Sequence, residues 1–252
     1  MEDVSLEVFC IYTDVNILNE FLIQSLKKQN VDCKITTYNG KDSQIGAAEI
    51  YNKLIAQSDA DVIVCVHQDV SFEDKNAIMD IYNYLKAHPM SIIGAAGVYI
   101  DTLQPGSRAV VCGNVVEGNI KEFSRLTPIS KPKEVIAVDE CMFTFNRKVF
   151  ECIQLDSETC SGWHFYATDY CYSARNLGIK SYAFPVYIWH KSTGKIEKDF
   201  YVQLRRIKKK YKKRESFFIT PCIRYNTHIP VLRYEIARKI RCILVKYKNR
   251  SM

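Results

Sequence analysis

The sequence predicts an α/β fold: a mostly parallel central sheet flanked by helices, with a basic helical appendage at the C-terminus. Three observations carry this. The run Val62 to Val66 is apolar and mostly β-branched, between Asp61 and the polar triplet His67-Gln68-Asp69. It is too short for an independent helix and reads as a strand buried on both faces, the interior type of a parallel sheet. Strand-like and helix-like segments alternate through the first ~90 residues, which implies right-handed βαβ crossovers. From residue 201 onward, 16 Lys/Arg face only Glu215 and Glu235, whereas the first 200 residues are net acidic. An acidic body with a basic tail points to a polyanionic partner for the tail.

Each element follows from local pattern. Leu6 to Tyr12 is the first strand. Thr13-Asp14 caps a helix over Val15 to Lys28, with Ile17, Phe21, Leu22 and Leu26 at helical spacing. Val31 to Tyr38 alternates as a second strand and ends in the turn cluster Asn39-Gly40-Lys41-Asp42. Ile45 to Gln57 is a helix, Asp61 to Val70 the buried strand, and Phe72 to Ala87 a helix stopped at His88-Pro89. Ile92 to Ile100 is a further strand. Asp101 to Glu117, with Gly106, Gly113 and Gly118 around a Val-rich run, is an excursion or hairpin over the sheet edge. A Pro-bearing loop spans Thr127 to Lys133, and Val135 to Phe145 is a strand pair or one bent strand. Arg147 to Cys152 is a short helix, and Leu155 to Gly162 a polar loop. Trp163 to Asn176 is a helix ended by Gly178. Lys180 to Ile188 is the last strand, Glu197 to Arg214 a basic helix, and Pro230 to Tyr247 an amphipathic helix.

Composition removes several classes. The 252 residues suffice for a sizeable core. No apolar run approaches the ~20 residues of a bilayer span. The acidic start Met-Glu-Asp-Val-Ser lacks a signal-peptide pattern. Ten scattered cysteines form no CxxC pair, so a zinc ribbon is not indicated, and we expect thiols in a reducing cytosol. Neither GxxxxGK[ST] nor GxGxxG occurs.

The strand ends should converge on one rim, where open α/β sheets bind ligands. They supply Tyr12-Thr13-Asp14, Asn39, His67-Gln68-Asp69 and Tyr99-Asp101. A carboxylate at Asp69 can accept from a ribose hydroxyl or hold a divalent cation, since Mg²⁺ needs only one or two carboxylates beside phosphate oxygens and water. A second constellation is Trp163-His164-Phe165-Tyr166-Ala167-Thr168-Asp169-Tyr170. Asp169 there is either a helix-start carboxylate favoured by the dipole or a general base against an aromatic wall. A third is Trp189-His190 at the end of an apolar strand, where a neutral imidazole can serve as a ligand.

These pieces, in this order, resemble glycosyltransferases of the GT-A fold, the family 2-like group. The segment Ala47 to Ala56 followed by Asp61 to Val70 is similar to that group's Asn-bearing helix and its strand ending in an acidic motif. Val138 to Arg147 resembles the acceptor-side strand, and His164 to Cys171 the "Glu-Asp" segment whose Asp is the base. His190 matches a metal-ligating histidine after the last core strand. The resemblance implies a catalytic domain over 1–200 and a basic tail over 201–252. It implies Asp169 as base and Tyr12, Thr13, Asn39, Asn52, His67, Gln68 and Asp69 as donor-binding. It further implies Asp139, Glu140, Trp163 and His164 as acceptor-binding, with Mg²⁺ or Mn²⁺ on Asp69 and His190. The group's Asp-x-Asp reads His67-Gln68-Asp69 here, and its Glu-Asp reads Thr168-Asp169.

The expected activity is inverting sugar transfer from a nucleotide-diphosphate donor to a glycan or lipid-linked acceptor, in cell-surface polysaccharide synthesis. The expected location is cytoplasmic or peripheral on the inner membrane face. The tail either lies on anionic lipid or packs on the domain with a solvated basic face. Two rivals remain: a nucleic-acid-binding module built on the tail, against which the acidic body speaks, and a nucleotidyltransferase, which lacks its Gly-rich basic loop after the first strand.

Overall fold

A computed structural model describes residues 5–102, 108–119, 121–123, 126–192 and 198–248. The chain runs through β1 (Leu6–Tyr12), α1 (Val15–Leu18), a π-helical turn (Asn19–Ile23), α2 (Gln24–Leu26), β2 (Lys34–Asn39), α3 (Ala47–Ala56), β3 (Val62–His67) and β4 (Val70–Phe72). It continues through α4 (Ala77–Ala87), β5 (Ser91–Gly94), β6 (Ala96–Asp101), β7 (Arg108–Glu117), β8 (Glu122–Phe123), β9 (Lys133–Val135), β10 (Ala137–Val138) and β11 (Met142–Asn146). The rest is α5 (Arg147–Cys152), α6 (Tyr166–Arg175), β12 (Lys180–Ala183), β13 (Tyr187–His190), α7 (Lys198–Tyr211), β14 (Phe217–Ile219), β15 (Arg224–Asn226) and α8 (Val231–Lys248).

The main sheet has the order β2-β1-β3-β11-β5-β12-β9. Strands β2, β1, β3, β5 and β12 share one direction, and β11 and β9 oppose it. By direction the sheet is therefore mostly parallel, as expected. The interior strand β3 feeds both cores. Ile63 and Cys65 pack with Phe9, Phe143 and Phe145 on one face, and Val62, Val64 and Val66 pack with Leu22, Ile78 and Ile81 on the other. That division is the two-residue period of a strand buried on both sides.

A second sheet has the order β10-β6-β7-β13-β4, with β8 beside β7. Three apolar runs that read as single strands in the sequence divide between the two sheets. Asp61 to Val70 turns at Gln68-Asp69 and starts β4. Ile92 to Ile100 breaks at Ala95, and Lys180 to Ile188 breaks at Phe184-Pro185, where proline has no ladder donor. Gly113 lies against the Ala95 break with φ +147°, and a Cβ there would fall 2.2 Å from the Ala95 carbonyl oxygen. Only glycine allows that approach.

The expected boundary at 200 has no counterpart in the packing. Phe200, Leu204, Ile207 and Tyr211 of α7 and Phe218 and Tyr225 of the β14–β15 hairpin are buried in the same cluster as Phe9 and Ile63. The basic face of α7 is solvated and its apolar stripe is core, which is the packed alternative for that stretch. Gly106 and Glu197 lie outside the described residues. The nine cysteines described are all free thiols.

Candidate active site

The site forms where the strands change sheets. β13 pairs antiparallel with β4, setting His190 opposite Val70, and parallel with β7, setting His190 opposite Glu117. Asp69 directly precedes Val70, so its Oδ1 lies 3.4 Å from His190 Nε2. The His67 and His190 rings are 5.5 Å apart. One donor atom each from His67, Asp69 and His190 lies within 4.8 Å of the others.

Neighbours fix these three side chains. The Ser192 amide donates to Asp69 Oδ2 at 3.0 Å, and Ser192 Oγ pairs with His190 Nε2 at 3.1 Å. His67 Nε2 pairs with the Tyr166 hydroxyl at 3.1 Å. Burial, helped by the charge of His190, pulls His67 down to about 4, so it is a neutral imidazole. Burial alone would raise Asp69, but the hydrogen bond and charge of His190 hold it well below the usual carboxylate range. Burial would lower His190, and the Asp69 carboxylate more than offsets it. Two imidazoles and a carboxylate suit a divalent transition ion such as Mn²⁺. The outer contacts from Tyr166 and Ser192 are of the kind that orient metal ligands.

A cavity of about 430 Å³ opens beside this cluster, within the roughly 300–1,000 Å³ of small-molecule sites. Asp139, Glu140 and Glu117 face it, together with Trp163, His164, Phe165 and Thr168. Asp139 follows β10; its Oδ1 accepts the Cys141 amide at 2.9 Å and its Oδ2 is 3.9 Å from Cys222 Sγ. Burial and the charge of Asp139 push the Glu140 carboxyl well up, against the pull of the Ala167, Tyr166 and Phe165 amides. Glu140 Oε1 is buried with no partner. The same three amides begin α6, where Phe165 adopts φ +71°. A bulky residue in the left-handed region is strained and is a mark of functional sites.

Several expected site residues serve elsewhere. Asp169 is 1% exposed and does not line the cavity. Its Oδ2 accepts from Lys210 Nζ at 2.7 Å and its Oδ1 from the Tyr211 hydroxyl at 2.8 Å. Burial raises it and Lys210 partly restores it. The carboxylate sits behind the site, held by α7. The amide of Asn52 bonds both backbone groups of Leu155, at 2.8 and 3.1 Å, and so ties α3 to a loop. Gln68 Oε1 accepts from the amides of Thr13 and Asp14, and its Nε2 donates to Thr13 Oγ1, stapling the β3 end to the β1 end. Asn39 Oδ1 caps the turn by accepting the Lys41 amide. Tyr12 is half-buried on this rim. Trp163 bridges the rim and the cavity: a Cβ on Gly40 would meet its indole at 2.9 Å.

His67 thus joins the ion-capable cluster, where the expectation had Asp69 and His190 alone. Glu117, Ser192, Phe200, Cys222 and Arg238 line the cavity without having been singled out. For Glu117 the available signal was its place at the end of a Val-rich run before Gly118; for Arg238 there was none.

A two-layered α/β sheet with an acidic, ion-capable motif at the end of its third strand and a carboxylate-rich cavity beside it defines a GT-A-type glycosyltransferase. The chain belongs to the family described as "Glycosyltransferase like family", which matches residues 19–218. Solved structures share the fold at low identity. GalNAc-T7 with UDP, GalNAc and Mn²⁺ superposes with a TM-score of 0.55 at 10% identity, over 76% of this chain and 44% of that one. S. aureus TarS 1–349 with UDP-GlcNAc gives 0.50 at 12% identity, over 81% and 65%. The mannosyltransferase PcManGT from Pyrobaculum calidifontis with GDP-Man and Mn²⁺ gives 0.51 at 8% identity, over 81% and 61%. The chain thus spans less than two thirds of the length of each of these proteins. No curated protein matches it by sequence.

Proposed function

We propose that this chain is an inverting hexosyltransferase that moves a sugar from a nucleotide-diphosphate donor to a hydroxyl of a glycan or lipid-linked acceptor. Its place is cell-surface polysaccharide synthesis on the cytoplasmic side of a membrane, with the α8 part of the basic tail 201–252 toward anionic lipid. The observation that carries the reading is one cavity lined by His67, His190 and Asp139, with Asp69 beside it, 3.4 Å from His190. The nucleotide-sugars and Mn²⁺ held by the structural neighbours support the same donor class here.

The nucleoside lies over the rim of Tyr12, Thr13 and Asn39. The donor's diphosphate lies toward Asp69, where a cation held by His67, Asp69 and His190 would neutralise the charge of the leaving group. Two imidazoles in the set favour Mn²⁺ over Mg²⁺. Asp139, rather than Asp169, takes the proton of the acceptor hydroxyl. The acceptor oxygen bonds to the anomeric carbon as the bond from that carbon to the diphosphate oxygen breaks, and the electron pair leaves with the nucleoside diphosphate. Glu140, with one oxygen free of protein partners, hydrogen-bonds an acceptor hydroxyl. Trp163 and His164 flank the acceptor sugar.

A thermal-shift panel of UDP- and GDP-sugars with and without Mn²⁺ tests this. Saturating ligand at about 100 times its Kd stabilises by about 2.7 kcal/mol. At least one donor should raise the Tm in the presence of Mn²⁺. No shift from any nucleotide would contradict the reading.

A further inference from the structure

We propose that α8 is the membrane-facing wall of the acceptor site: its outer stripe lies in the interface of an anionic bilayer, and Arg238 on its inner face holds the phosphate of a lipid-borne acceptor. This rests on the transferase reading for the acceptor, but not for the bilayer.

The two faces of α8 are distinct. Val231 is buried and Tyr234, Glu235 and Arg238 are half-buried, a spacing that sets one side of the helix against the body. Leu232, Ile236 and Ile240 are 60%, 49% and 52% exposed. At 3.6 residues per turn these three span about 80° of the helix, and Arg238 lies about 160° from their centre. Exposed Arg233 and Lys239 flank the stripe on either side, and exposed Ile229 extends it at the helix start. No helix among the described residues is long and apolar enough to cross a membrane. An apolar stripe between basic flanks is the pattern of a helix lying in the lipid interface.

Charge decides the occupant. The stripe belongs to a segment with 16 basic and two acidic residues. A second copy packed on it would bring like charges together, whereas an anionic lipid surface attracts them. A helix is about 10–12 Å across, so the inner face of α8 stands one helix diameter above the acyl boundary, at the level of headgroups rather than of acyl chains. There Arg238 joins Cys222 and Phe200 in lining the cavity, on the wall that approaches Asp139. Its Nη1 lies 3.5 Å from the Tyr201 hydroxyl. A guanidinium in this position offers phosphate a bidentate grip. The acceptor that fits carries a phosphate between its lipid chain and the group bearing the attacking hydroxyl.

The test uses the full chain. Flotation with phosphatidylcholine vesicles containing roughly 30 mol% phosphatidylglycerol should show binding, with little to phosphatidylcholine alone. Leu232→Glu/Ile236→Glu/Ile240→Glu, at exposed positions, should lower the partition coefficient about 100-fold or more, and Arg233→Gln about fivefold. Arg238→Gln should float like the parent and keep the Tm shift given by UDP or GDP with Mn²⁺. It should lose the Tm shift given by farnesyl phosphate, which farnesol does not give in either protein. Unchanged flotation of the triple variant, or a dimer in sedimentation that the triple variant dissolves, overturns the bilayer assignment. Loss of the nucleotide shift in Arg238→Gln gives the arginine to the donor diphosphate and overturns the acceptor assignment. If no nucleotide shifts the parent, the transferase reading fails while the flotation result stands on its own.

Discussion

Asp139 and Asp169, two carboxylates near α6, are held in opposite ways. Asp169 is fully buried, and both its oxygens are taken by Lys210 and Tyr211 from α7. Lys210 also reaches Asp156 at 2.9 Å and Ser173 Oγ at 3.2 Å. Asp139 faces a cavity, beside a Glu140 oxygen without a partner and a Phe165 with strained backbone. Behind α6, Asp169, Asp156 and Lys210 answer one another; in front of it, Asp139 lines the cavity beside a Glu140 oxygen that has no partner. A carboxylate in a recognisable motif can therefore belong to the scaffold; what separates the two cases is that Asp169 is closed off by a lysine ammonium and a tyrosine hydroxyl, whereas Asp139, held only by the Cys141 amide and the Cys222 thiol, lines the cavity.

Substitution of the front carboxylate carries the largest expected effect. Asp139→Asn should lower the transfer rate about 10²–10⁴-fold, the range of general-base help, with an unchanged Tm. Asp169→Asn should do the reverse, lowering the Tm while the folded protein keeps its turnover. A turnover collapse in Asp169→Asn at unchanged Tm would return the base to Asp169.

Lys210→Met should be next. Breaking a buried pair by removing one partner costs about 3–5 kcal/mol, read by urea denaturation. Burial pulls the Lys210 ammonium down, but Asp169 and Asp156 more than restore it. The loss should therefore be present at neutral pH. A change below 1 kcal/mol would show that α7 is not pinned through this residue.

Smaller effects sharpen the front. Tyr166→Phe or Ser192→Ala should weaken Mn²⁺ about 10–100-fold, as removal of outer-shell partners does. The pH dependence has a definite sign. His190 in the folded protein is raised above 6.5 and must lose its proton to bind an ion. Mn²⁺ affinity should thus rise about tenfold per pH unit up to that raised value and then level off. Calorimetric titration between pH 6 and 8 reads this, and a flat profile would remove His190 from the ligand set.

Much of the fold was legible because strand and helix periods are local. The buried β3 and the helix Arg147–Cys152 follow from pattern alone; the Val-rich run after Asp101, expected as an excursion or hairpin over the sheet edge, is instead β7 in the interior of the second sheet. Sheet switching was not legible: the runs 92–100 and 180–188 stay apolar across their breaks because both sheets bury them. The α7 stripe Phe200, Leu204, Ile207 and Tyr211 has core spacing but is masked by its lysines. Within the site, Asp69 and His190 follow from the ends of apolar runs. His67 as a third donor, the unpartnered Glu140 oxygen and Arg238 depend on long-range register, which sequence spacing does not contain. Asp169 and Asn52 sit in the right motifs, but their partners, Lys210 and Leu155, are 41 and 103 residues away.

The most direct measurement is electron–nuclear double resonance on Mn²⁺ bound to the protein with UDP or GDP. Couplings to imidazole nitrogens from His67 and His190, and to phosphorus of the same nucleotide, should appear on one ion, with the nitrogen signal reduced in His190→Ala. Phosphorus coupling with no nitrogen coupling, or an ion that stays hydrated, would contradict the account.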